Sequence, residues 1–126
     1  MAGGAVLGAV TGEQLDKAWT QLNGLIEKAT ATGPIETQYA LIAERSGLYP
    51  TVRGGLVQMN AGDVWKYGTS ADPTSRYAAS ALKSLGLIMN PQTAGTRYQV
   101  LVAEKMKLIE YAVTNWQLPP GNRIFK

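Results

Sequence analysis

Residues 47–77, GLYPTVRGGLVQMNAGDVWKYGTSADPTSRY, set a tyrosine, a lysine and an arginine on three kinds of local structure within one short stretch. Asp63, Val64, Trp65, Lys66 and Tyr67 read as a strand, because β-branched and aromatic residues dominate and the Gly-Thr-Ser-Ala-Asp-Pro run that follows ends it. Asp72 before Pro73 predicts a helix start, since a proline at the first helical position lacks only an N–H that would have no partner there. That helix would carry Arg76 on its first turn, just beyond the strand that carries Lys66. A strand, a tight turn at Gly68 and a helix N-terminus bearing a guanidinium form a natural seat for a phosphate. An ordinary surface turn with solvated cations satisfies the same pattern.

Working outward, Leu48, Tyr49, Thr51 and Val52 read as a strand that Pro50 confines to an edge or a bulge. Arg53-Gly54-Gly55 is a turn, Leu56 to Met59 a further strand, and Asn60-Ala61-Gly62-Asp63 a second turn into the Trp65 strand. Together they predict a small antiparallel sheet. The Pro73 helix runs through Tyr77, Ala78, Ala81 and Leu82 to Gly86, and Leu87, Ile88 and Met89 add a short strand closed by Asn90-Pro91. From about Thr96 to Trp116 the apolar spacing of Val100, Leu101, Ala103, Met106, Leu108, Ile109, Ala112, Val113 and Trp116 predicts a long amphipathic helix, ended by Leu118-Pro119-Pro120-Gly121-Asn122.

Toward the N-terminus, Thr11 and Gln14 have capping-box spacing, and Leu15, Ala18, Trp19, Leu22, Leu25, Ile26 and Ala29 keep the helical period. After Gly33-Pro34, the residues Ile35, Tyr39, Leu41 and Ile42 predict a second, shorter helix ending near Ser46-Gly47. The fold class expected is α+β: a small three-stranded antiparallel sheet flanked by helices, with an added N-terminal helical segment. Residues 1–12 are expected to be a flexible linker, 13–46 the helical segment and 47–126 the functional domain. The opening Met-Ala-Gly-Gly reads as the cut end of a longer parent chain, and no stretch has the roughly 20 apolar residues of a membrane-spanning helix.

The 126 residues contain no Cys and no His, which excludes disulfides, cysteine nucleophiles, Ser-His-Asp triads and the usual His/Cys zinc sites. Any enzyme here works with Tyr, Lys, Arg, carboxylates, Ser, Thr or a hard metal ion. Residues 1–46 hold three cations and five carboxylates, a net −2, whereas residues 47–126 hold nine cations and four carboxylates, a net +5. The second part therefore suits a polyanion. Glu104 and Glu110 are six residues apart on one predicted helix, about 240° around its axis, so only one faces a given site. Glu104, between Ala103 and Lys105, falls at the margin of the apolar stripe.

Tyr49 on a first strand, the Lys66-Tyr67-Gly68 end of a second, Arg76 ten residues on and Glu104 on a later helix resemble the GIY-YIG endonuclease superfamily. Gly47-Leu48-Tyr49 is similar to its GIY element and Lys66-Tyr67-Gly68-Thr69 to its YIG element in a lysine-bearing form. The resemblance covers roughly residues 47–116. Residues 62–77 and the closing Leu118-Pro119-Pro120-Gly121-Asn122 also resemble the C-terminal domains of Rhs-type polymorphic bacterial toxins.

That resemblance implies a secreted antibacterial effector whose tip is a nuclease hydrolysing DNA in preference to RNA in the target cytoplasm. It further implies a cognate immunity protein and no membrane partner. Glu104 would anchor Mg²⁺, which needs few protein ligands and keeps several waters, and Arg76 would meet charge growing in the transition state. Tyr49, or Lys66 with a pKa lowered by burial and neighbouring cations, would take the proton from the attacking water. Thr69, Ser70, Arg53 and Arg97 are the candidate substrate contacts, while Tyr67 and Trp65 read as core aromatics. A metal-independent ribonuclease and a non-enzymatic module binding nucleic acid or protein are the alternatives.

Overall fold

A computed structural model describes residues 9–29, 32–72, 79–123 and 125. The chain is α+β. Helix α1, Gly12–Lys28, opens as its sequence predicts: the Thr11 N–H donates to Gln14 Oε1 at 2.9 Å, and the Gln14 N–H donates to Thr11 Oγ1 at 3.1 Å. Leu15, Ala18 and Leu22 form its buried face, although Trp19, counted in the predicted stripe, stands half exposed. Residues 9 and 10 are docked rather than a linker. Ala9 bridges to Gln117, and the Val10 N–H donates to Trp116 O at 2.8 Å with its side chain buried.

The helix predicted over 35–46 is instead β1, Glu36–Ala43, the central strand of a three-stranded antiparallel sheet. Its neighbours are β4, Val64–Ser70, and β5, Leu87–Gly95. Both faces of β1 are covered, so Gln38, Tyr39, Ala40 and Leu41 are all buried and the strand reads as an apolar run. Such a run has no alternation to separate it from a buried helix. Because β1 pairs across position 46, the boundary expected between 46 and 47 falls inside one sheet.

The strands β2, Gly47–Pro50, and β3, Leu56–Met59, make a separate two-stranded hairpin and do not join the Lys66 strand. β5 runs past Asn90-Pro91 to Gly95; Pro91 is accommodated because β5 is an edge strand and its register shifts beside Tyr39. The helix start predicted at Asp72-Pro73 lies at the edge of and beyond the described residues, and among the described residues the helix is α2, Ala79–Leu85. Gly86, at φ +77°, ends it as expected.

Helix α3, Arg97–Asn115, carries Leu108 and Ala112 into a cluster with Val10, Leu15 and Leu118, while Ile109 packs with Ala18 and Leu22. A second core, Tyr39, Leu41, Ala43, Tyr49, Met59, Leu82 and Leu87, joins the sheet to the hairpin and α2. Each Leu or Ile buried in this way is worth roughly 1.5–3 kcal/mol. Among the described residues, no helix is long and apolar enough to cross a membrane.

Candidate functional site

Strand β4 and the first turns of α3 enclose a cavity of about 170 Å³ that gathers several of the residues singled out by sequence. Lys66 and Thr69 come from β4. Arg97, Leu101 and Glu104 come from α3, where spacings of four and three residues put them in one stripe. Glu104 is 7% exposed, so its carboxylate reaches the cavity from within packed structure. Arg97 stands at the outer end of the stripe, its side chain 59% exposed and its Nη1 3.2 Å from Glu36 Oε1.

The tyrosines lining this cavity are Tyr39 and Tyr67, and Tyr49 is not among them. Tyr39 is opposite Gly68 in the β1–β4 register, and Leu41 is opposite Lys66, so the alternation of the pleat puts all four positions on one side. A Cβ at position 68 would stand 2.5 Å from the Tyr39 hydroxyl oxygen and 2.6 Å from Cζ. Glycine at 68 is thus what lets the ring pass over β4. The turn expected at Gly68 is absent, and the strand continues to Ser70.

Tyr49 serves the core. It is 3% exposed, its hydroxyl donates to Arg45 O at 2.6 Å or Gly86 O at 3.0 Å, and it does not line the cavity. Arg53 likewise does not line the cavity: Nη1 donates to Pro119 O at 3.2 Å and Asn122 O at 2.8 Å, and Nη2 to Leu118 O at 3.2 Å. Ser70 does not line the cavity either; its Oγ accepts from the Asp72 N–H at 3.1 Å and shapes the turn. Arg76 lies outside the described residues.

The segment at 118–122 is the clamp that finishes the site. The Asn122 side chain pairs with the open edge of β4 as another strand would: Oδ1 accepts from the Tyr67 N–H and Nδ2 donates to Tyr67 O, both at 2.9 Å. The Gly121 N–H donates to Trp65 O at 2.6 Å, and no side chain fits at 121 because the Trp65 ring lies against it. Trp65 in turn donates from Nε1 to Pro50 O at 2.8 Å and packs on the core, as its sequence predicts. Tyr67 packs with the α1–α3 cluster, again as expected. Burial, and secondarily the charges of Glu110 and Tyr111, push its phenol pKa up, so it stays protonated.

Of the polar residues lining the cavity, sequence reasoning missed Tyr39 and Asn122. Tyr39 was hidden by the helical reading of its strand. Asn122 had a signal, since it closes a proline-glycine run quoted for its own sake, but its partner is 55 residues away.

Glu104 is the cavity's only lining carboxylate, and no group of three or more metal-ligating acids occurs among the described residues. Asn122 has its amide committed to backbone. This donor set fits Mg²⁺ in one mode, in which a single carboxylate holds an ion completed by substrate phosphate oxygens and water. No family model, curated protein or solved structure matches the chain.

Proposed function

We propose that the chain is the toxin domain of a bacterial effector and acts as a GIY-YIG-like, Mg²⁺-dependent endonuclease that hydrolyses phosphodiester bonds, DNA before RNA. The observation that carries this is the convergence of Tyr39, Lys66 and Glu104, with Thr69 and Arg97 at the rim, around a space that seats one phosphodiester. The phenol role passes from Tyr49 to Tyr39, which keeps the family's order of tyrosine strand, glycine strand and glutamate helix.

Lys66 neutralises the scissile phosphate, and Thr69 donates a hydrogen bond to a non-bridging oxygen. Tyr39, its own proton first lost to solvent, takes the proton of the attacking water; a P–O bond forms from that water, the opposite P–O bond breaks, and the leaving alkoxide is protonated by solvent. Glu104 would hold Mg²⁺, which supplies charge stabilisation at the phosphate and the leaving oxygen. By family likeness Arg76 adds its guanidinium where charge grows, and a small immunity protein would block the cavity mouth after secretion of the parent effector.

A second reading, a metal-independent ribonuclease, is favoured by the single carboxylate among cationic lining residues. There Lys66 and Tyr39 would promote attack by the RNA 2′-OH. Incubating purified chain with supercoiled DNA and with RNA, in Mg²⁺ or in EDTA, separates the two. DNA nicking that EDTA stops and Glu104→Gln abolishes supports the first, and RNA cleavage that survives EDTA supports the second. Absence of cleavage under every condition leaves a non-enzymatic binding module.

A further inference from the structure

Two cavities of about 410 Å³ each lie along α1 and share Gln21 and Phe125. Lys17 and Arg123 line the first, and Lys28 and Lys105 line the second. Among the described residues no carboxylate lines either. Residues 1–46 are acidic in total, yet two of their three cations stand here.

Lys105 is the informative group. It is 1% exposed, and its ammonium donates to a neutral acceptor, Gln21 Oε1, at 3.0 Å while lying 5.9 Å from the centroid of the Phe125 ring. Lys105 lines the second cavity, so an anion seated there would meet its ammonium. At the Lys28 end a second cation–aromatic pair occurs, with the ammonium 6.0 Å from the Tyr98 ring centroid.

We propose that the two cavities form one track for single-stranded nucleic acid, with phosphates on Lys17, Lys105 and Arg123 and a base against Phe125. Each cavity is within the size range of small-ligand sites, roughly 300–1,000 Å³. Cations beside aromatic faces in a part-apolar groove match a nucleotide strand, in which every unit carries both a phosphate and a π-face. An acidic peptide would use the cations and leave the rings idle. The track rests on the nuclease reading and extends it, because Lys105 follows Glu104 and Arg123 follows Asn122 in the chain.

The test uses the full chain carrying Glu104→Gln, with fluorescein-labelled 12-nucleotide single-stranded DNA and RNA, polarisation being read across a KCl series. Lys17→Glu with Arg123→Glu, both at exposed positions, is expected to weaken binding at least tenfold. The log–log salt slope should become shallower by about 1.4, since each phosphate contact on a single strand contributes about 0.7. Phe125→Leu, which keeps apolar volume, is expected to weaken binding about tenfold through lost stacking. Unchanged affinity and slope in the double variant overturn the track. So does polyglutamate of matched charge binding as tightly as the oligonucleotide with Phe125→Leu silent, which would assign the groove to an acidic protein segment. In the Glu104 chain, cleavage of long substrate with normal KM by the double variant also removes the track but leaves the nuclease reading standing. Oligonucleotide binding through the groove by a chain that never cleaves removes the nuclease reading and leaves the track.

Discussion

Gly68→Ala is the sharpest probe of how the cavity is built. The added methyl would sit 2.5 Å from the Tyr39 oxygen and 2.6 Å from Cζ. Carbon contacts are favourable near 3.5–4.0 Å, so the shortfall is roughly 1 Å on two ring atoms of a residue with no exposed surface to retreat to. Overpacking of this kind costs about 1–3 kcal/mol, and the smaller unfolded-state entropy of alanine returns about 0.4–1 kcal/mol. The net expectation is a loss of about 1–2 kcal/mol, or a Tm drop of about 4–8 °C for a domain of this size. Activity should fall more steeply than stability, because the displaced group is the proposed proton acceptor.

A double-mutant cycle read by urea denaturation isolates the contact. In a Tyr39→Leu background the same alanine should cost less than about 0.5 kcal/mol, giving a coupling energy of at least about 0.5 kcal/mol between two positions that face each other across β1 and β4. Strict additivity would refute the claim that Gly68 exists to let the Tyr39 ring pass.

Further outcomes follow from the same contacts. Asn122→Ala leaves the Tyr67 N–H and C=O without partners at a covered strand edge and should lower urea stability by about 1–3 kcal/mol, together with activity. Arg53→Ala strands three carbonyls of residues 118–122 and should lower Tm by several degrees, while the cleavage rate per folded molecule at low temperature stays near wild type. At alkaline pH the sign is fixed by Tyr67 and Tyr111, whose phenols are raised above 10.0 chiefly by burial. The native state holds these protons after the unfolded chain has lost them, so stability is intact below pH 10.0 and falls as pH rises through the folded values. Replacing both tyrosines with Phe should flatten that decline in urea titrations between pH 8 and 11, and an unchanged slope would contradict the assignment.

Local chemistry made part of the molecule legible. Thr11 and Gln14 cap α1 through bonds that their spacing forecasts, and the helix expected from about Thr96 is α3, Arg97–Asn115, with Val100, Leu108, Ile109 and Ala112 of its stripe buried but Met106, Val113 and Trp116 exposed. Lys66, Thr69, Arg97 and Glu104 do meet at one cavity. What was illegible is non-local. β1 is buried on both faces, so its residues carry no alternation; taken for a helix, it hides Tyr39, and the resemblance of Gly47-Leu48-Tyr49 to the GIY element points to Tyr49 instead. Arg53 looks like a free cation in a glycine-rich turn because the carbonyls that occupy it are 65, 66 and 69 residues away. Lys105 looks like a surface lysine until α1 and Phe125 close over it.

The central claim is that a phenol, an ammonium and a carboxylate share one phosphodiester-sized cavity and that the phenol belongs to Tyr39. Its most direct test is the initial rate of supercoiled-plasmid nicking in Mg²⁺ for Tyr39→Phe against Tyr49→Phe, each normalised to folded protein by circular dichroism. Tyr39→Phe is expected to lose about 100-fold or more, the usual contribution of a positioned base, while Tyr49→Phe loses stability and keeps a rate within about threefold of wild type. A full rate for Tyr39→Phe with a collapsed rate for Tyr49→Phe would contradict the claim.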